Sequence, residues 1–375
     1  MAGIYIHIPY CKKKCIYCDF YFKINADDMH DMISCIIKEL VSRKNYLKSS
    51  SVKTIYFGGG TPSILTKHDT NTILKTIYDN YKVCEKLEIT LEANPDDLNR
   101  KKIADFFNIG VNRLSIGVQS FKDDDLIFLN RNHSRAEAIR SIKIAQEIGY
   151  KNISVDLMYG LPKQSLKDWE DNLNLLFDLN IQHLSAYMLT LEKKTKLFEY
   201  VKKNKVKMID DLSIINQYYR LLSIAKKNNF VQYEISNFSK NNTLSKHNTS
   251  YWQNKLFLGV GPSAHSFDYK SRRWNIASNK KYIEKLNNNN IYFEEEVLTI
   301  SQKFNEYILT NLRTKWGINI NTIKSRFGGK YASHTKKMMQ RWSEKNYIKE
   351  NNEIVILTDE GSVFADKIIS DLFLV

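Results

Sequence analysis

Three cysteines near the start of the chain are the residues whose spacing most clearly indicates chemistry. Cys11, Cys15 and Cys18 lie within eight positions, with gaps of three and two residues. Thiolates at this spacing bind soft metal centres, either zinc or an iron-sulfur cluster. A structural zinc site normally closes with a second Cys or His pair, and Cys35 and Cys84 do not form such a pair. Three thiolates on a cubane leave one iron without a protein ligand, so we expect a cluster open to a small chelating molecule.

The later apolar runs of the sequence also contain or precede polar residues and glycines, as the first run precedes the cysteines. Three glycines lie in the segment 58–62, and Glu92 and Gln119 end two further runs. Asp156 and Tyr187 lie within two more. Ligands of parallel α/β folds bind at the carboxyl ends of the strands. We therefore expect one shared site that collects these residues and the cysteines.

The elements that must position these residues are six short apolar runs that alternate with helix-period segments. This alternation predicts parallel strands with crossover helices. Six units rather than eight indicate a partial barrel, with a doubly wound sheet as the alternative. The helical segment after the fourth run begins with a capping box, Ser134 and Glu137, and stops at Gly149. The predicted strands are 3–9, 52–57, 85–92, 113–118, 153–159 and 183–189.

The C-terminal part of the chain follows a different pattern. An Asn-rich patch at 284–290 ends the strand-helix alternation, and helices plus a hairpin follow it. We expect a small winged-helix-like domain there. Winged helices often bind DNA, but the charge is not concentrated in this part of the chain, which favours a scaffold or partner-binding role. The predicted division is a barrel at 1–235, a connecting region at 236–290 and the C-terminal domain at 291–375.

Bulk composition excludes several classes of protein. With 43% hydrophobic residues the chain is globular, and no run of about 18 apolar residues predicts a membrane helix. The first residues lack the pattern of a secretory signal, so we expect a cytoplasmic protein whose cysteines stay reduced. The formal charge of +15 is spread along the chain, and we therefore expect no nucleic-acid partner.

The cysteine spacing resembles that of the radical S-adenosylmethionine (radical SAM) superfamily, and the order of the other motifs narrows the resemblance. Over nearly the whole chain, it resembles the subfamily of oxygen-independent coproporphyrinogen III oxidase and the HemW-type haem chaperones. The resemblance implies a partial (β/α)6 radical SAM barrel with a 4Fe-4S cluster whose open iron is chelated by S-adenosylmethionine. The motifs are IHIPYC, GGGTPS, EANP, RLSIGVQSF, LNRNH, DLMYGLPKQS, HLSAYML, YEISNFS, HNTSYW and GVGPSAHS.

The resemblance also implies roles for single residues. The family's cluster ligands fall on Cys11, Cys15 and Cys18. The positions that line the adenine side of S-adenosylmethionine in the oxidase correspond to Tyr187 and Thr190. The family's remaining S-adenosylmethionine contacts fall on Tyr5, Gly59, Gly60, Thr61, Glu92, Gln119, Arg131 and Asp156.

Three features of a sequence distinguish the oxidase from the HemW-type haem chaperones. The oxidase has a further cysteine two residues after the third, where this chain has Phe20, and an N-terminal extension, where this chain has four residues before Tyr5. The segment HNTSYW contains His247 and matches the HNxxYW motif that is associated with haem binding in the chaperone group. An imidazole can bind haem iron, and His265 is a second candidate.

The resemblance therefore predicts a haem chaperone that binds haem, a 4Fe-4S cluster and S-adenosylmethionine. The expected partners are haem and haem-accepting proteins, such as components of the respiratory chain. Coproporphyrinogen oxidase, an enzyme of porphyrin biosynthesis, is the alternative function. The sequence leaves open whether the radical SAM machinery acts as an enzyme, and whether the protein forms a homodimer or contacts a membrane peripherally.

Overall fold

Six parallel strands form the centre of the fold. Along each of them, apolar residues alternate with polar or aromatic residues. The computed structural model describes residues 2–374. The predicted strands are confirmed, and neighbours in the chain are neighbours in the sheet. A doubly wound sheet would instead reverse its strand order. The strands are β1 (Ala2–Ile8), β2 (Val52–Gly59), β3 (Val83–Ala93), β4 (Arg113–Gln119), β5 (Ile153–Tyr159) and β6 (His183–Met188).

Crossover helices cover the outer face of these strands, where alternate residues such as Ile4, Ile6 and Ile8 are fully buried. The predicted capping box of one helix is confirmed, as is its end at a left-handed glycine. The helices of this part are α1 (Met29–Ser42), α2 (Lys67–Asn80), α3 (Arg100–Asn108), α4 (Asp123–Phe128), α5 (Arg135–Ile148), α6 (Leu166–Asp178), α7 (Lys196–Lys202) and α8 (Asp211–Lys227).

Further strands extend the sheet on both sides of the six. At one side β7 (Val231–Glu234) and β8 (Asn237–Ser239) follow β6. At the other side β9 (Leu256–Val260) runs parallel to β1 and is followed by β10 (His265–Phe267), β11 (Ser271–Asn275) and β12 (Phe293–Val297). Residues 236–290 thus contribute strands to the main sheet, together with α9 (Lys246–Trp252) and α10 (Asn279–Asn287). The domain boundaries at 235 and 290 stay predictions.

The C-terminal part has a hydrophobic core of its own, which includes Phe304, Ile308 and Ile368. Its predicted hairpin is confirmed, with Asn352 and Glu353 at positive φ in the turn. The helices are α11 (Ile300–Leu312), α12 (Ile320–Phe327), α13 (Gly329–Glu344), α14 (Asp359–Val363) and α15 (Ala365–Leu372). The strands, β13 (Ile318–Asn319), β14 (Ile348–Asn351) and β15 (Ile354–Leu357), form a small sheet in the order β13-β15-β14.

Between residues 2 and 374, no helix combines the length and the hydropathy that crossing a bilayer requires.

Candidate functional site

A cavity of about 1030 Å³ opens at the carboxyl ends of the six parallel strands. The fold brings most of the predicted site residues together there, because parallel strands end at the same edge of the sheet. Tyr5, His247 and His265 do not line it. The predicted residues that do are Cys11, Cys15, Cys18, Gly59, Gly60, Thr61, Glu92, Gln119, Arg131, Asp156, Tyr187 and Thr190.

The three cysteines lie on the loop after β1, half-buried and unoxidised. The Thr61 hydroxyl donates to Cys11 Sγ at 3.5 Å, and Arg131 Nη1 donates to Cys15 Sγ at 3.3 Å. Burial raises the pKa of the Cys11 thiol to about 11 and also raises the pKa of Cys18. Thiolates in this loop therefore need a cationic partner, and an iron-sulfur cluster would supply one.

The number of thiols argues for a cluster rather than a structural zinc ion. A structural zinc site normally takes four protein ligands, whereas a cubane held by three thiolates keeps one iron open to another ligand. The donor set of Cys11, Cys15 and Cys18 thus fits a cubane cluster.

Two half-buried carboxyl groups, those of Glu92 and Asp156, face the cavity beside the cysteine loop. Glu92 accepts hydrogen bonds from the Tyr56 hydroxyl at 2.7 Å and the Gly59 N–H at 3.3 Å. Asp156 accepts one from Ser115 Oγ at 3.3 Å. Burial raises the pKa of both, that of Glu92 to about 7. An ammonium group or ribose hydroxyls in the cavity would offset this desolvation, so the pair fits the polar parts of S-adenosylmethionine.

The turn after β2 requires glycine where it borders the cavity. Gly59 has a φ of +108°, and a Cβ there would lie 2.6 Å from His7 Nδ1. A Cβ on Gly60 would lie 2.5 Å from the Tyr10 carbonyl oxygen. Side chains at these positions would displace the end of β1 and the residues that lead into the cysteine loop, so the glycines allow that segment and the turn to lie close together.

Arg131 connects the cysteine loop to the strand ends. Its Nη2 donates to Asn94 Oδ1 at 2.6 Å and to the Gly117 carbonyl at 2.7 Å, while Nη1 reaches Cys15. Gln119, at the end of β4, has a φ of +68°. A non-glycine residue in this left-handed region is strained, which is common where backbone is shaped for a ligand.

His247 lies below the cavity in the interior of the barrel and is fully buried. Hydrogen bonds join its Nδ1 to Thr54 Oγ1 at 2.8 Å and its Nε2 to the Tyr251 hydroxyl at 2.7 Å. Its ring stacks on Tyr56 with centroids 4.9 Å apart. Burial lowers its pKa to about 3. Because both nitrogens are engaged, neither can bind iron in this arrangement, and the haem-ligand role of His247 stays a prediction.

Tyr5 and His265 also lie outside the cavity lining. Tyr5, on β1, shares a hydrogen bond of 3.1 Å with His7 Nδ1 and packs beside Tyr56, with ring centroids 6.1 Å apart. His265 is exposed at the start of β10, where its ring stacks on Trp274. Their predicted roles with S-adenosylmethionine and haem stay predictions.

Tyr56 and Ser115 were not predicted to belong to the site, although both bond to predicted site residues. Asn94, which follows the third predicted strand, bonds to Arg131 as expected for a strand-end residue of the shared site. Ser115 lies two positions before Gly117, which also lines the cavity, and Tyr56 lies two positions before Gly58, the first glycine of the segment 58–62. Since side chains alternate between faces along a strand, the period of two could have identified them.

Comparison with known proteins agrees with this geometry. The profile of the Radical SAM superfamily matches residues 5–176. The haem chaperone HemW of Bacillus subtilis (strain 168) is 32% identical over 372 residues, covering 98% of each chain. This chain belongs to the HemW haem chaperone family of the radical SAM superfamily.

Two further similarities are consistent with that family. The mitochondrial radical S-adenosyl methionine domain-containing protein 1 of Danio rerio is 38% identical, over 70% of this chain and 60% of its own length. The solved structure of coproporphyrinogen III oxidase from Escherichia coli, a radical SAM enzyme, superposes with a TM-score of 0.86 over 99% of this chain and 90% of the other. At 19% identity this similarity shows a shared fold.

Proposed function

We propose that the protein is a haem chaperone that binds haem, a 4Fe-4S cluster and S-adenosylmethionine and hands haem to acceptor hemoproteins, respiratory ones among them. Full-length similarity to proteins named haem chaperone HemW carries this proposal. A cytoplasmic location remains a prediction.

The residues of the cavity support the cofactor part of the proposal. Cys11, Cys15 and Cys18 would hold the cluster. Glu92 and Asp156, with the backbone of the glycine turn, would bind the amino group and ribose of S-adenosylmethionine. When bound together, the two groups supply one-electron chemistry. Arg131 orients the cysteine loop through Cys15 and offers a positive charge beside it.

Phe20 favours the function of a haem chaperone over that of coproporphyrinogen oxidase. Its side chain lines the cavity near the cysteine loop and is 77% exposed. The resemblance places a further cysteine of the oxidase at this position. An exposed apolar ring gives neither a thiolate nor a proton donor at the cavity, so we expect no coproporphyrinogen decarboxylation.

The proposal is tested on the full chain after anaerobic reconstitution with iron and sulfide. We expect saturable haem binding in a spectral titration, followed by haem transfer to an apo-hemoprotein, and no decarboxylation of coproporphyrinogen III when a reductant and S-adenosylmethionine are added. A Cys11→Ala, Cys15→Ala, Cys18→Ala variant is the control for cluster assembly. Absence of haem binding would contradict the proposal. Decarboxylation above the no-protein control would favour the oxidase.

A further inference from the structure

The cavity continues beyond the predicted S-adenosylmethionine residues. Its second half is lined by the end of β6, by α8 and by the segment around α14 and α15. The whole volume of about 1030 Å³ reaches the upper end of the range of roughly 300–1,000 Å³ that is typical of small-molecule sites. A ligand other than S-adenosylmethionine therefore has room in this second half.

Large apolar side chains form the wall of the second half. Met188, the last residue of β6, is 44% exposed, and Phe364, between α14 and α15, is 41% exposed. Half-buried Ile214 and Ile215 of α8 line the same space. Exposed apolar surface is unfavourable at about 25 cal/mol per Å², and a flat apolar ligand would cover it.

A cation lies beside this apolar wall. Arg313, at the end of α11, lines the cavity, and its Nη2 pairs with the carboxylate of Asp366. The Asp366 side chain is 82% exposed. An ion pair with so exposed a partner is weak, so a ligand carboxylate can join or replace Asp366 at low cost. Lys367 also lines the cavity, but its Nζ pairs with Asp371 Oδ1 at 3.0 Å, so Arg313 is the cation that would meet a ligand carboxylate.

We propose that this second half is the haem site, with the macrocycle against Met188, Ile214 and Phe364 and a propionate against Arg313. Haem matches the two features of the wall, since it joins a flat apolar ring to carboxylates at one edge. The inference rests on the proposed haem-binding function. It places haem in the cavity, away from His247 and His265, neither of which lines it.

Two variants that break the same ion pair test the role of Arg313. Arg313→Gln removes the cation, whereas Asp366→Asn removes the partner and leaves the cation free. In a spectral titration, we expect Arg313→Gln to weaken haem binding roughly tenfold, because a charge-assisted hydrogen bond is lost. We expect Asp366→Asn to bind haem as tightly as the wild type or more tightly. Equal weakening in both variants, or none in Arg313→Gln, would overturn the proposal.

Haem dimethyl ester, which lacks the carboxylates, separates the charge contact from the apolar one. Arg313→Gln should bind the diester like the wild type, whereas Phe364→Ala should weaken haem and diester alike. Loss of diester binding in Arg313→Gln would count against a propionate contact. If the wild type binds no haem, the proposed function fails; if it binds haem and none of these variants changes the affinity, only the location fails.

Discussion

At the scale of single residues, Glu92 is the side chain of the site whose charge responds most directly to pH. Burial raises its pKa to about 7, while the Tyr56 hydroxyl and the Gly59 N–H partly oppose that rise. In the ligand-free protein the carboxyl group is therefore about half protonated near neutral pH. A ligand ammonium or hydroxyl group favours the ionised form.

The affinity for S-adenosylmethionine should therefore depend on pH. It should be constant above about pH 7 and fall by up to about tenfold per pH unit below it, because the protonated form must first lose its proton. Glu92→Gln should bind roughly tenfold more weakly and lose this pH dependence. Equilibrium dialysis of the reconstituted protein between about pH 6 and about pH 8 measures both effects.

Glu192→Gln is the matched control, since Glu192 also lines the cavity but is exposed. It should keep the wild-type pH dependence. A Glu92→Gln variant with the same pH dependence as the wild type would show that another group controls binding.

At the scale of elements, α9 docks on the barrel through several contacts. Glu88 on β3 accepts the backbone N–H groups of Lys246 and His247. His247 then connects the helix to Thr54 and stacks on Tyr56, whose hydroxyl donates to Glu92. The HNTSYW segment is thus joined to the cofactor cavity by an unbroken series of contacts.

His247 should make stability depend on pH on the acid side. The neutral ring is held in the fold with a pKa of about 3, against about 6.5 in the unfolded chain, so the unfolded chain takes up a proton first as the pH falls. Its contribution to stability is constant above about pH 6.5 and is lost at up to about 1.4 kcal/mol per pH unit between about 6.5 and about 3.

His247→Gln should therefore lower the free energy of unfolding by about 2 kcal/mol at pH 8, where two buried hydrogen bonds are lost. It should also show a shallower loss of stability between about pH 6.5 and about pH 5. Urea unfolding at several pH values measures both. His68→Gln, at an exposed position on α2, is the control and should change neither. A variant with an unchanged slope would contradict the buried neutral imidazole.

At the scale of the whole molecule, the described residues contain two large hydrophobic cores. One surrounds the main sheet and extends to α10, and the other lies within residues 304–372. The cavity lies where the two parts meet, because its lining includes residues from the strand ends and from α14 and α15. Relative movement of the two parts would therefore change the proposed haem site.

Phe304→Ala should unfold the C-terminal part selectively. Phe304 is fully buried in the second core, so its truncation should cost about 3–5 kcal/mol. Hydrogen exchange should accelerate in residues 300–374 and stay slow in the six parallel strands. Phe106→Ala, in the main core, is the reciprocal control. Equal acceleration in both parts would show that they unfold as one unit.

Local pattern was sufficient to predict the six strands, their crossover helices and the cysteine loop. Apolar alternation and helix caps are properties of neighbouring residues, so they can be read without knowing the fold. The strand pattern also predicted that Glu92, Gln119 and Asp156 lie in one cavity, because the ends of parallel strands meet at one edge of the sheet.

The sequence by itself determined the strand-helix repeat, the three-thiol loop and the residues at the strand ends. Only the tertiary structure decided that β9 pairs with β1, that His247 is buried with both nitrogens engaged, and that Arg313 lines the cavity. These depend on contacts between segments far apart in the chain. Such contacts arise from the packing of whole elements, and the periodicity of one segment carries no information about which distant segment will cover it.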